Sequence, residues 1–411
     1  MRRIVVADDL TGASDAGAAF AKRGARTTVW LDASASLREV ESSDVVVVDM
    51  DSRAAHPEAA YRRMRAFLDG LEEALRATIV KKMDSTLRGN LGPELRALLE
   101  ARPSATAIVC PAYPKNQRTV VDGRVFVAGV AVDRTDFARD LFSPVRDARV
   151  AAQIDEAATS LPLATVRAGT AALQAALAQA RRANVRVMVA DAQTDDDLHA
   201  IAALSGPDVL WVGSAGLLEE LDIMADVGVA TAPALPAARG PVVLLIGSRS
   251  EMSQRQIHDY AAHGVAVVLD PAALLHSDRT VDIALEPARS AFAAGADVLV
   301  ALASDAAAVS AGSAGILDTS HRLRAAFVAA TEAFWHGRRG ATIVLSGGDI
   351  ARTCCESSGI RGMTILSETA PGIPLSRAIG ADLFLVTKAG GFGHPGTYRD
   401  ILATLHPQVR T

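Results

Sequence analysis

Two adjacent aspartates, Asp8 and Asp9, follow the short apolar run RIVV near the beginning of the chain and precede a segment with helical spacing. In open α/β sheets, ligands bind outside the carboxyl ends of the strands, which is where this pair would lie. Thr11 or Ser14 could cap the helix, and a cap needs one acidic or hydroxyl residue rather than two adjacent carboxylates. The pair therefore predicts a functional site at this strand end.

A second polar cluster, KKMDSTLRGN (81–90), also follows an apolar strand. Arginine can hold a carboxylate with two parallel hydrogen bonds, and hydroxyl and amide side chains can pair with sugar hydroxyls. The segment therefore predicts a cradle for a polyhydroxylated anion, built from Lys82, Asp84, Ser85, Thr86, Arg88 and Asn90. A third strand end, CPAYPKNQR (110–118), either faces the same ligand or carries solvated side chains.

Three glycine- or serine-rich turns follow strands in the second half of the chain: GSRS (247–250), SGGD (346–349) and KAGG (388–391). Small residues let the backbone approach a phosphate, and a helix that begins there attracts anions. If the strands are neighbours, the turns converge on one nucleotide site. Its candidate residues are Ser248, Ser250, Ser346, Gly347, Gly348, Asp349, Lys388, Gly390 and Gly391. The chain contains no G-x-x-x-x-G-K-[ST] loop and no HExxH or GxSxG motif.

Short β-branched runs alternate with helical segments along the whole chain, which predicts an α/β fold. Two prolines without periodicity in GVATAPALPAARG (228–240) indicate a linker. We therefore expect two domains, 1–228 and 241–411, joined by a linker at 229–240. Each would have a mainly parallel sheet flanked by helices, with the active site in the interdomain cleft. LATV (163–166) is predicted as a strand, and VDGRVFVAG (121–129) as a hairpin that turns at Asp122-Gly123.

The composition fits a large globular enzyme. Half of the 411 residues are hydrophobic, 22% are charged, and the formal net charge is −5. An acidic balance argues against a nucleic-acid-coating role. The three cysteines and nine histidines show no metal-ligand spacing, so no metal ligand is assigned. We find no secretory signal and no apolar run long enough to span a membrane, which predicts a cytoplasmic protein without membrane partners.

Taken together, these motifs resemble the four-carbon acid sugar kinase family. The resemblance lies in ADDLTGASDAG (7–17), KKMDSTLRGN, CPAYPKNQR, WVGSAGL (211–217), GSRS, SGGD, APGIP (370–374) and KAGGFG (388–393), so it covers nearly the whole chain. It implies an N-terminal substrate-binding domain and a C-terminal nucleotide-binding domain. One position departs from the family pattern: Arg249 stands where the turn often has cysteine, which rules out a role for a thiol there.

The resemblance implies that ATP, with Mg²⁺, phosphorylates the terminal 4-hydroxyl of a tetronate. D-threonate is the first expectation, followed by D-erythronate and 3-oxo-tetronate. Asp8 or Asp9 would accept the hydroxyl's proton or orient it, with Asp84 a less favoured candidate. Arg88, together with hydroxyl and amide donors such as Thr11, would hold the substrate carboxylate, and Lys388 would lie near the phosphates. Asp349 would bind either the metal or the ribose.

Two other function classes remain open from the sequence. A non-catalytic, two-lobed sugar-acid sensor would share the anion cradle but would not need three glycine turns. A lyase or isomerase would use Asp8, Asp9 and Lys82 for proton transfer without ATP. Alanine-rich helices would suit a homodimer, but the sequence does not decide the oligomeric state.

Overall fold

The computed structural model describes residues 3–34, 36–140, 143–154, 157–204, 206, 208–222, 236–276, 278–303 and 313–407. The chain forms two compact units, Met1–Thr231 and Ala232–Thr411. Residues 229–235 of the expected linker lie outside the described residues.

The first unit is built on a parallel sheet with helices between successive strands. Its strands are β1 (Arg3–Ala7), β2 (Thr27–Trp30), β3 (Val45–Asp49), β4 (Ile79–Lys82), β5 (Thr106–Cys110), β6 (Arg118–Val121), β7 (Arg124–Val127), β8 (Val130–Ala131), β9 (Ala158–Leu161), β10 (Val187–Ala190) and β11 (Val209–Gly213). Its helices are α1 (Leu10–Ala21), α2 (Pro57–Asp69), α3 (Glu73–Arg76), α4 (Leu91–Ala101), α5 (Leu163–Arg167), α6 (Thr170–Arg182), α7 (Asp195–Ala202) and α8 (Ala215–Glu220).

The strand order of this sheet is β2-β3-β1-β4-β11-β5-β10-β9, and its neighbouring strands are parallel. Strand β3 reads VVVVD and is buried at every position, as expected for a strand covered on both faces. The ends of β1, β3 and β4 are neighbours because Ala7 pairs with Asp49 and Val6 pairs with Lys81. The side chains that follow these strands are thereby brought together.

The expected hairpin is present. Strands β6 and β7 are antiparallel and turn at Asp122-Gly123, and β8 adds to β7. The expected strand at 163–166 is wrong: this segment belongs to helix α5, and the strand is β9 at Ala158–Leu161. A four-residue apolar run is too short to separate the two periodicities, and Pro162, whose backbone has no N–H, precedes the first turn of the helix.

The second unit contains β12 (Val243–Ile246), β13 (Val265–Leu269), β14 (Val298–Leu302), β15 (Ala341–Ser346), β16 (Gly362–Ala370), β17 (Ile373–Ile379) and β18 (Leu383–Lys388). Its helices are α9 (Glu251–Ala261), α10 (Pro271–His276), α11 (Asp278–Ala293), α12 (Ser313–Thr331), α13 (Gly348–Ser357) and α14 (Thr397–Leu405). The strand order is β13-β14-β12-β15-β18-β17-β16. The first five strands are parallel, and β17 runs antiparallel to both of its neighbours.

Each unit is therefore an α/β unit with a mainly parallel sheet. The segment PGIP contains the tight turn between β16 and β17, where Gly372 has a φ of 70°. The described residues include no helix long and apolar enough to cross a membrane.

Candidate functional site

The two aspartates lie where the sequence predicted, directly after β1. Asp9 itself caps helix α1: its Oδ1 accepts a hydrogen bond from Gly12 N at 2.8 Å, and its Oδ2 accepts one from Thr11 Oγ1 at 2.8 Å. Thr11 and Ser14, the two residues considered as alternative caps, therefore do not cap this helix. A carboxylate is an equally good N-cap, and Asp9 stands at the first non-helical position.

An arginine that the sequence analysis did not single out joins the two carboxylates. Arg53 lies in the loop after β3, and its Nε and Nη2 donate to Asp8 Oδ2 and Oδ1 at 2.8 and 3.0 Å. Its Nη1 donates to Asp9 Oδ2 at 2.6 Å, and its Nη2 lies 3.6 Å from Asp84 Oδ1. One guanidinium thus contacts three carboxylates. The chain has many arginines, and Arg53 lies in no motif, so no local pattern marked it.

The loop after β4 brings a second guanidinium to this cluster. Arg88 donates through Nε and Nη2 to the two oxygens of Asp84, both at 3.0 Å, and its Nη1 lies 3.5 Å from Asp140 Oδ2. The Arg88 guanidinium also stacks 5.1 Å from the centre of the Phe137 ring. Thr86 donates to Asp84 through its backbone and its hydroxyl. Arg88 was expected to hold a ligand carboxylate. In the structure its Nε and Nη2 are already hydrogen-bonded to a protein carboxylate, that of Asp84.

The remaining predicted residues of this loop support its shape. Asn90 Nδ2 donates to the carbonyls of Ser52 and Ala55 at 2.7 and 2.9 Å, which holds the loop that carries Arg53. Ser85 is buried. Lys82 Nζ lies 3.9 Å from Asp15 Oδ2 and donates to the carbonyl of Met83 at 3.1 Å.

Two glycines let the backbone approach this cluster. A Cβ on Gly12 would lie 2.7 Å from Asp9 Oδ1 and 3.4 Å from Lys82 Nζ, so only glycine lets Asp9 pack this closely against the backbone. Gly89 has a φ of 100°, and a Cβ there would lie 2.7 Å from Asp8 Oδ2. Asp8 is thereby covered by backbone: its side chain is 4% exposed, whereas that of Asp9 is 16% exposed.

The three carboxylates differ in acidity. Burial alone would raise the pKa of Asp8, but Arg53 and Lys81 lower it below its ordinary value. Burial likewise opposes ionisation of Asp84, yet Arg88 and Arg53 hold its pKa well below the usual range. For Asp9, burial outweighs Arg53 and the neighbouring Asp8 adds repulsion, so its pKa is raised. Paired carboxylates whose pKa values move apart are a common arrangement of acid–base sites.

The side chains of the third predicted strand end, after β5, lie partly on the surface and partly in the interior. Lys115 pairs with Glu219 at 2.6 Å on the surface. Arg118 is buried, and desolvation lowers its pKa despite the nearby charge of Asp84. Arg118 is thus the residue of this segment that lies near the aspartate cluster.

In the second unit, the three glycine-rich turns meet at one sheet edge. Strands β12, β15 and β18 are neighbours, with Ile246 paired to Ser346 and Ser346 paired to Lys388. Gly247 N donates to Ser346 O at 2.9 Å, and Gly347 N donates to Lys388 O at 3.1 Å. The predicted convergence of the turns is confirmed by this geometry.

The turns pack so closely that side chains would not fit. A Cβ on Gly390 would lie 1.8 Å from Ser248 Oγ, and one on Gly347, whose φ is 106°, would lie 3.3 Å from the backbone nitrogen of Ser248. Ser250 caps helix α9 by accepting from Ser253 N at 3.2 Å. Helices α9 and α13 both begin at this edge, so their N-terminal N–H groups favour an anion there.

Asp349 and Arg249 occupy the outer parts of these turns. Asp349 Oδ2 lies 3.2 Å from Arg324 Nη1, and the aspartate side chain is half-exposed. Arg249 is exposed. Within the described residues, no group of three or more His, Cys, Asp or Glu side chains is arranged to hold a metal ion.

Lys388 lies below the turns rather than on their surface. It is fully buried, and its Nζ donates to the carbonyls of Ala389 and Gly390 at 3.0 and 3.1 Å and lies 5.6 Å from the centre of the Tyr398 ring. Burial lowers the pKa of Lys388 to about 7. The expectation that its ammonium lies near the phosphates stays a prediction, and its hydrogen bonds are with the backbone of the turn.

Comparison with known proteins covers both units. Residues 3–221 match the sugar-binding N-terminal domain family, and residues 243–397 match the nucleotide-binding C-terminal domain family. The D-threonate kinase of Cupriavidus necator is 36% identical over 96% of this chain and 95% of its own length. The D-threonate kinase of Salmonella typhimurium is 33% identical over 98% of both chains, and a 3-oxo-tetronate kinase of Cupriavidus necator is 29% identical over 97% and 96%.

The fold has a match among solved structures as well. A crystal structure from Salmonella typhimurium LT2, described as that of a tRNA synthase, has a TM-score of 0.77, 26% sequence identity and coverage of 97% of this chain and 98% of its own. The likeness runs through both units, as do the motifs that the sequence analysis identified. With both domain families matched in order and relatives aligned along nearly the full chain, this protein belongs to the four-carbon acid sugar kinase family.

Proposed function

We propose that this protein is an ATP-dependent kinase that phosphorylates the 4-hydroxyl of a four-carbon sugar acid, with D-threonate as the first candidate. The observation that carries the proposal is the alignment with D-threonate kinases over at least 95% of each chain. The 3-oxo-tetronate and D-erythronate kinases among the relatives keep those acids as the next candidates.

The geometry of each unit supports a division of labour. In the first unit, Asp9 and Asp8 lie at a strand end with the cations Lys82 and Arg53 beside them, which suits a ligand that carries hydroxyls and one negative charge. In the second unit, tightly packed turns and two helix N-termini suit the phosphates of ATP. We assign substrate binding to the first unit and nucleotide binding to the second.

Phosphoryl transfer depends mainly on positioning and on neutralising the charge of the phosphates. Mg²⁺ supplies part of that neutralisation and takes most of its ligands from phosphate and water, with one or two protein carboxylates. Asp349, half-exposed at the N-terminus of α13, is the carboxylate of the turns that fits such a role. A site of this kind needs no cluster of three ligating side chains.

The proposal is tested by incubating the purified protein with Mg-ATP and separate tetronates, and by following ADP release in a coupled assay. We expect release with one acid and none without an acceptor, and ³¹P NMR of the product should show a phosphate ester at C4. ATP binding without transfer to any tetronate would overturn the substrate assignment. An absence of ATP binding would favour the sensor, and turnover of a sugar acid without ATP would favour the lyase or isomerase.

A further inference from the structure

Arg53 is the one side chain that contacts Asp8, Asp9 and Asp84 together within the described part of the first unit. Its own position is held independently of these contacts. The backbone nitrogens of Ser52 and Arg53 donate to Asp8 O at 2.9 and 3.1 Å, and Met50 N donates to Ala7 O at 2.8 Å, directly after the last β3–β1 pair. The guanidinium is therefore delivered to the aspartates by backbone structure.

The contacts of Arg53 treat the two adjacent aspartates differently. Asp8 receives two parallel hydrogen bonds, one on each oxygen, which is the strongest geometry for a guanidinium and a carboxylate. Asp9 receives a single bond from Nη1 on Oδ2. Asp8 is thus held as a buried anion, whereas Arg53 bonds only one oxygen of Asp9, Oδ2.

The oxygen Oδ1 of Asp9 has room for a further donor. A carboxylate can accept about four hydrogen bonds. Three are used at Asp9, by Gly12 N on Oδ1 and by Thr11 Oγ1 and Arg53 on Oδ2. Asp9 is also the more exposed of the two carboxylates.

We propose that Arg53 is a positioning residue that holds Asp8 as a fixed anion and leaves Asp9 Oδ1 to take the proton of the attacking hydroxyl. This inference rests on the proposed kinase function. In the transfer step, the acceptor oxygen forms a bond to the γ-phosphorus of ATP while its proton moves to Asp9. The bond from the γ-phosphorus to the bridging oxygen breaks, and its electron pair leaves with ADP. Asp9 then releases the proton to solvent.

The acidity of the two groups agrees with this assignment. The pKa of Asp8 is lowered, since Arg53 and Lys81 overcome the effect of burial. The pKa of Asp9 is raised by burial and by the Asp8 charge. A base with the higher pKa drives proton abstraction better, provided that it is ionised at the working pH.

Removal of the guanidinium should therefore change the ionisation of both aspartates. A neighbouring cation typically lowers the pKa of a carboxylate by about one to three units. In Arg53→Met, the acid limb of the kcat profile should move to higher pH by an amount in that range. Arg53→Lys, which keeps the charge but not the fork, should fall between Arg53→Met and the wild type.

A control variant separates this effect from the loss of any arginine–carboxylate pair. Arg167 donates to both oxygens of Asp197 at 2.8 and 3.0 Å in the same unit. Arg167→Met removes a bidentate pair of the same kind, with a more exposed arginine, away from Asp8, Asp9 and Asp84. Its kcat profile should coincide with that of the wild type.

A second measurement does not depend on activity. Cys110 is buried in the first unit, so its thiol becomes reactive when that unit unfolds; the protein is equilibrated in urea at each pH and then alkylated in a brief pulse at about pH 8, where the thiolate forms. Because Arg53→Met leaves buried carboxylates without their cation, it should be destabilised most at pH 7. The difference from the wild type should shrink as the pH falls towards 4 and these carboxylates become protonated.

The outcomes are distinct. An acid limb that stays in place in both Arg53 variants, or a stability difference that does not change with pH, would overturn the inference. If Arg53→Met does not fold, Arg53→Lys carries both measurements. If the wild type phosphorylates no tetronate, the proposed function fails and the assignment of Asp9 as base fails with it, while the alkylation measurement still decides whether Arg53 fixes the charge of Asp8.

Discussion

Lys388 offers a stability prediction whose size follows from its burial. Its ammonium is fully enclosed, and its pKa is lowered from 10.5 to about 7 by desolvation. At pH values between these two pKa values, Lys388 is protonated in the unfolded chain and neutral in the folded protein. Stability should therefore rise with pH across this window, by about 1.4 kcal/mol per pH unit and about 5 kcal/mol in total.

The variant Lys388→Met keeps the length of the side chain and removes the titration. It also loses the hydrogen bonds to Ala389 and Gly390, but that loss is independent of pH. The stability of Lys388→Met relative to that of the wild type should be highest at pH 7.5. The free energy of unfolding of Lys388→Met minus that of the wild type should fall by about 2.5 kcal/mol between pH 7.5 and pH 9.5.

The assay must report the second unit alone, because two compact units need not unfold together. Cys354 and Cys355 are both buried in α13 of that unit, so pulsed alkylation of these thiols in urea measures its unfolding. Lys22→Met, at an exposed position in the first unit, is the control and should show no such pH-dependent difference. A difference between Lys388→Met and the wild type that is constant from pH 7.5 to 9.5 would refute the reasoning.

Three further substitutions probe the two units. Asp9→Asn should cut kcat by about 10²–10⁴, the usual effect of losing a general base, and should remain folded because asparagine also caps helices. The coupled assay checks the activity and circular dichroism checks the fold. Activity within about threefold of the wild type would exclude Asp9 as the base. Gly390→Ala should weaken ATP binding in calorimetry, since its Cβ would collide with Ser248 Oγ; an unchanged affinity would separate this turn from the nucleotide site. Gly89→Ala should destabilise the first unit by about 1–3 kcal/mol, because its positive φ and the nearby Asp8 Oδ2 both oppose a side chain; unaltered urea unfolding would contradict that.

The sequence was informative where function depends on the ends of strands. Asp8-Asp9 and the turns at 247–250, 346–349 and 388–391 could be predicted because each directly follows an apolar run of strand length. The parallel register then brings residues at such ends together without further information. The alternation of strands and helices was likewise sufficient to predict the α/β class.

Other features depend on distances that no local pattern encodes. Arg53 is separated from Asp8 by 45 positions and reaches it only because β3 and β1 pair in register. The burial of Lys388 arises from α14 packing its Tyr398 over the end of β18. The antiparallel hairpin of β16 and β17 was missed because its apolar residues are interrupted by polar ones.

The charges of the aspartate cluster constrain how an acidic substrate can bind. The carboxylates of Asp8, Asp9 and Asp84 pair with the guanidiniums of Arg53 and Arg88, and the charge of Lys81 also acts on Asp8. Since both guanidiniums already pair with protein carboxylates, neither is the first choice to hold the carboxylate of a sugar acid.

Lys82 is better placed for that task. Its Nζ and Asp9 Oδ1 lie 3.4 and 2.7 Å from the position that a Cβ on Gly12 would take, so the cation and the base both lie beside Gly12. Its nearest carboxylate is that of Asp15, at 3.9 Å, a weaker engagement than the bidentate pair of Arg88. A sugar acid whose carboxylate is bound by Lys82 would have its charge compensated by that ammonium, which would leave Asp9 to accept the proton of a hydroxyl.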